Sequence, residues 1–160
     1  MPFKGTTILT HRANGSFLSS NEYLIVGNNE IYQNKLKYLL SVLNSKTPYY
    51  YASLIMNSLS GNTTIAQKSI FLSVPIPIIL SENQKPFENL VEQILQKKEQ
   101  NEETTNLENQ IDLMVYKLYE LTYEEVKIVD AEFDKVLGEF GLSKEDYAQM
   151  SVEELGELEV

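Results

Sequence analysis

The chain has 160 residues, no cysteine, a single histidine and a formal net charge of −10. That length suits one domain with an appendage, and 42% apolar residues are enough for a real core. The absence of cysteine excludes a disulfide framework and a thiolate metal site, and the lone imidazole, His11, argues against a catalytic zinc centre.

Residues 6–12 (Thr-Thr-Ile-Leu-Thr-His-Arg) are rich in β-branched side chains and predict a strand. Asn14-Gly15 supplies a turn, and residues 23–26 predict a second strand closed by Gly27-Asn28-Asn29. No crossover helix fits between the two, so the sheet is expected to be antiparallel. From Asn34 the period changes: Leu36, Leu39, Leu40 and Leu43 recur at helical spacing, and the helix should stop near Asn44-Ser45. A second helix is expected from Pro48 to about Leu59, with Tyr51, Leu54, Ile55 and Leu59 inward and Tyr49, Tyr50 and Asn57 nearer the surface. The loop Ser-Gly-Asn-Thr-Thr at 60–64 follows, then a β-branched run over 65–74 that predicts a strand. Pro75 and Pro77 cannot donate to a ladder and mark a boundary.

Past Ser81 the expectation is all helix. Phe87, Leu90, Val91, Ile94 and Leu95 form one apolar stripe, and Leu107, Ile111, Met114, Val115 and Leu118 form another. The polar stretch 96–106 between them favours a helical hairpin. Thr122-Tyr-Glu-Glu125 and Ser151-Val-Glu-Glu154 are capping boxes, Gly138 and Gly141 stop the helix between them, and Ser143 opens a short one. The acidic end is expected to fray. The class expected is therefore α+β: a small, mostly antiparallel sheet with packed helices over residues 1–80, then an all-helical region over 81–160.

Charge divides along the same line. Residues 1–80 hold six basic and two acidic side chains, a charge of +4, whereas residues 81–160 hold seven and twenty-one, a charge of −14. Such asymmetry predicts a mildly basic working half and an acidic half that avoids phosphates. No phosphate-binding glycine loop, dinucleotide fingerprint or nucleophile elbow is present, and acidic pairs such as Glu102-Glu103 read as solvated surface, so the chain by itself looks non-catalytic. What remains is a polar, aromatic, basic set: Arg12, Lys46, Tyr49, Tyr50, Asn62, Thr63, Thr64, Gln67 and Lys68. Lysine and hydroxyl groups bind phosphates, Asn and Gln pair with adenine edges, and tyrosine rings stack on unpaired bases. The sequence lacks a signal-peptide layout and any apolar run near 18 residues, so a cytoplasmic protein is expected.

The ordered series Tyr38-Leu-Leu-Ser-Val-Leu-Asn-Ser45, Ser60-Gly61 and Val74-Pro-Ile-Pro77 resembles the C-terminal specificity region of adenine-specific DNA methyltransferases of restriction–modification systems. These are the TaqI-like group and the fused restriction-and-modification enzymes. The match continues through Lys85-Pro-Phe-Glu-Asn-Leu-Val91, Leu107-Glu-Asn-Gln-Ile-Asp112 and Met114-Val-Tyr-Lys-Leu-Tyr119-Glu-Leu-Thr122-Tyr-Glu-Glu125. The last piece is similar to the family's "LVYxLYGLTxEE", with Glu120 where the family commonly has Gly. The resemblance implies a target-recognition domain that grips duplex DNA opposite a separate catalytic domain. That domain would bind S-adenosylmethionine and methylate a flipped adenine. No cofactor is expected on this chain, which reads as the C-terminal piece of a longer enzyme or a free-standing specificity subunit. The catalytic domain would be a partner in cis or in trans. Two other readings stand beside it: a half-sized type I restriction specificity subunit forming a homodimer through its helices, and a protein-interaction module that works through its acidic helices.

Overall fold

The computed structural model describes residues 30–55, 58–59, 63–64 and 73–159. Helix α1, Glu30–Asn44, is followed after a bend at Ser45 by α2, Lys46–Ile55. Next come two short extended pieces, β1 Ser58–Leu59 and β2 Thr63–Thr64, paired antiparallel with Ser58 opposite Thr64 and Leu59 opposite Thr63. Helices α3 (Ser81–Glu99), α4 (Thr105–Leu118), α5 (Tyr123–Val129), α6 (Phe133–Glu139), α7 (Lys144–Gln149) and α8 (Val152–Gly156) complete the order.

The expected α+β class is overturned. Among the described residues the architecture is helical, and the two-residue β1–β2 ladder is their entire extended pairing. The strands expected at 6–12 and 23–26 lie outside the described residues. So does most of the one expected at 65–74, whose described end is helical at Ser73 and bent at Val74. β-Branched side chains favour any packed surface, and Val74 is buried at a bend rather than in a strand.

The two apolar stripes pair as expected. Phe87, Leu90 and Val91 of α3 meet Leu107, Ile111, Met114 and Val115 of α4, within one chain, and α1 lies along α3. Tyr38 stands edge-on to Phe87 at 5.4 Å between ring centres, and Lys37 pairs with Glu92 at 3.1 Å on the same seam. Among the described side chains of α1, Tyr38, Ser41 and Val42 are buried, as is Ser45 at the bend that follows, while Leu36, Leu39, Leu40 and Leu43 are half-buried. The two serines can be buried because each hydroxyl donates back to its own helix, to Tyr38 O and Val42 O, both at 2.7 Å.

Helix α4 is the centre. Every residue from Gln110 to Tyr116 is buried, so it is enclosed on all sides rather than along one stripe. Tyr116, Phe133 and Tyr147 close its far side, with Phe133 edge-on to Tyr116 at 5.8 Å and to Tyr147 at 5.2 Å. As far as Leu158 the acidic end is held to the fold: Leu155 is fully buried, and Gln110 Nε2 donates to Leu155 O at 2.8 Å and Leu158 O at 3.2 Å. Capping boxes at Thr122/Glu125 and Ser151/Glu154 open α5 and α8 as expected, and Ser143/Asp146 adds a third at α7. No helix among the described residues is long and apolar enough to cross a membrane.

Candidate functional site

Of the nine residues singled out in the sequence, Arg12, Asn62, Gln67 and Lys68 lie outside the described residues, as does His11. Thr63 and Thr64 form β2. Tyr49 and Tyr50 are half-buried on α2, whereas Tyr51 and Leu54, expected to face inward, are 38% and 67% exposed. The helix begins at Lys46, two residues before the expected start, and its inward face is Thr47, Pro48 and Ala52. Pro48 is tolerated there because it is the third helical residue, where a backbone N–H has no intrahelical acceptor to lose.

Lys46 is drawn into the fold. Its backbone N–H donates to Asp112 Oδ1 at 2.9 Å, and its ammonium lies 2.8 Å from Asp130 Oδ2 and 3.4 Å from Asp112 Oδ2. Asp130 is shared further: Tyr116 Oη donates to its Oδ2 at 3.1 Å and the Glu132 N–H to its Oδ1 at 3.0 Å. Asp112 thereby caps α2 from another helix, where the positive end of the helix dipole favours a carboxylate. Ser45 is not free to do so, since its hydroxyl is turned back to Val42 O.

The electrostatics follow from one ammonium among two carboxylates. Burial pushes the Asp112 carboxyl up to about 6, with the Lys46 ammonium pulling against it and Asp130 adding to the rise. Burial draws Lys46 down, but the Asp112 and Asp130 carboxylates together outweigh it and hold the ammonium above lysine's usual value. The Tyr116 hydroxyl is raised by burial and then by both aspartates, so it stays a donor. A nucleophilic or basic lysine needs the opposite shift. Asp112, Tyr116 and Asp130 were not singled out in the sequence. The signal for Asp112 is a lone charge inside Ile111-Asp112-Leu113-Met114-Val115.

A second set of polar contacts fastens the proline segment. Tyr38 Oη donates to Pro77 O at 2.7 Å and Tyr119 Oη to Pro75 O at 2.6 Å. Burial raises both hydroxyls to about 12, and for Tyr38 the neighbouring Tyr119 adds to it. Among the described residues no group of three or more His, Asp or Glu side chains is placed to hold a metal ion. No protein-family model matches the chain, and neither a curated protein nor a solved structure matches it.

Proposed function

We propose that this chain is the duplex-DNA recognition end of an adenine-specific DNA methyltransferase of restriction–modification type, working in the cytoplasm. A separate catalytic domain, in cis or in trans, would bind S-adenosylmethionine and carry out the methyl transfer. DNA would meet the stretch from α2 to Lys68, with Asn62, Thr63, Thr64, Gln67 and Lys68 as its contacts, Tyr49 and Tyr50 beside them, and Arg12 as a further contact from outside it. Lys46 serves as scaffold in this reading, because its charge is already met by two carboxylates.

The observation that carries the reading is that the segments bearing the resemblance bind one another through their own signature residues. Tyr38 reaches Pro77 and Tyr119 reaches Pro75, across 39 and 44 residues of sequence, and Lys46, the residue after the first segment, reaches Asp112 across 66. A pattern of short motifs thus corresponds to one scaffold from which a basic, polar stretch departs. Fluorescence anisotropy with a labelled duplex, titrated between roughly 50 and 200 mM salt, tests it. Binding should weaken steeply with salt, each phosphate contact adding about 0.9 to the log–log slope. Absence of duplex binding at the lowest salt would overturn the reading.

A further inference from the structure

We propose that Asp112, Lys46 and Asp130 form a fixed joint that sets the direction in which α2 presents the following chain to duplex DNA, acting as positioning residues rather than contacts. The inference rests on the DNA-recognition reading and adds to it what holds the reading arm. Among the described residues the apolar core reaches α1 through Tyr38 and Val42 but contains no side chain from α2. Among the described side chains of that helix Tyr51 and Leu54 face outward, Tyr49 and Tyr50 are half-buried, and the buried face is Thr47, Pro48 and Ala52 beside Lys46. With so little apolar burial described, directional contacts carry much of the positioning, and the joint supplies them at the first residue of the helix. One Asp112 oxygen fixes the Lys46 N–H, and the ammonium bridges Asp112 on α4 to Asp130 at the corner between α5 and α6. Asp130 is itself held by Tyr116 and by the Glu132 N–H, so the joint is anchored to the centre of the bundle. The bend at Ser45 is where α2 departs from the line of α1.

The test uses Asp112, which is buried and anionic and so cannot contact a phosphate. Simple electrostatics predicts that Asp112→Ala strengthens duplex binding by removing a negative charge. The joint predicts the reverse. Binding by the full chain should fall by about tenfold with the salt slope unchanged, and Asp112→Asn, which retains an acceptor for the Lys46 N–H, should restore it. Amide hydrogen exchange of the same variants supplies a readout independent of DNA. With Asp112→Ala, exchange should quicken in α2 while α3 and α4 stay protected as in the wild type. Unchanged or tighter binding, or faster exchange spread across the whole bundle, would overturn the joint. If the wild-type chain binds no duplex, the recognition reading falls by itself, and the exchange pattern still decides whether the joint holds α2.

Discussion

Asp112 holds Lys46 twice, taking the backbone N–H on one oxygen at 2.9 Å and facing the ammonium with the other at 3.4 Å. The first contact caps a helix and the second neutralises a charge, so one buried carboxylate joins α4 to α2 both geometrically and electrostatically. Because Asp130 shares the same ammonium, the cluster carries one more negative than positive charge, and Tyr116 and the Glu132 N–H spread that excess.

A pH dependence follows. Burial holds the Asp112 carboxyl at about 6 against an ordinary 3.8, so the folded chain keeps a proton there that the unfolded chain has already released. The corresponding stabilisation is fully present below the unfolded value and is lost as pH rises through about 6; a shift of this size is worth at most about 3 kcal/mol. Asp112→Asn removes the titration and keeps an acceptor. In urea unfolding from about pH 4 to about pH 7, wild-type stability should fall relative to the variant by about 2–3 kcal/mol. A constant difference would show that the carboxylate is not desolvated at any cost.

Lys46→Met should be the more damaging change, because it leaves Asp112 and Asp130 facing each other without a cation. Breaking a buried pair from one side costs about 3–5 kcal/mol, and the lysine's partial exposure places the expected value near the lower end. Equilibrium denaturation measures it. A cost below about 1 kcal/mol would mean that the pair behaves as a surface contact.

The contrast between these residues and the stripes explains what the sequence disclosed. Phe87, Leu90 and Val91, and their counterparts Leu107, Ile111 and Met114, announce their faces through local period, and the hairpin follows from them. Thr122/Glu125 and Ser151/Glu154 announce helix starts because both partners lie within one turn. Asp112 is hidden because a single amphipathic stripe assigns it to the outside, whereas α4 is enclosed on every side. The face of α2 is equally illegible: Tyr49, Tyr50 and Tyr51 have no period, and the helix is oriented by a contact 66 residues away. Of the extended structure expected from β-branched runs, the described end is bent at Val74, whose burial needs no strand.

Glu120 offers a direct comparison of sequence with backbone. It closes α4 at φ 55°, with its own N–H on Lys117 O and the Leu121 N–H on Tyr116 O, a left-handed helix end that favours glycine. A residue with a Cβ keeps that turn at a conformational cost. Glu120→Gly should raise stability by about 1 kcal/mol. Gly141, at φ 67° with the same bonding at the end of α6, should lose about as much on Gly141→Ala, although no atom crowds the added methyl. Thermal melts of the two variants should move in opposite directions.

Gly156 separates steric from conformational reasons for glycine. It ends α8 where that helix crosses the hairpin, and a Cβ there would lie 2.7 Å from Pro86 Cβ and 3.2 Å from Met114 Cε. The methionine can swing aside, but the proline ring is fixed in α3 and cannot. Gly156→Ala should therefore push α8 outward, strain the Gln110 bonds to Leu155 O and Leu158 O, and cost about 1–3 kcal/mol. Gly138, inside α6 with open space around it, is the matched control, and Gly138→Ala should stabilise by about 0.5–1 kcal/mol through helix propensity. If the two substitutions gave the same sign in urea unfolding, α8 would not be seated on the hairpin. Opposite signs would place the buried Leu155 and its helix among the elements that hold α3 against α4.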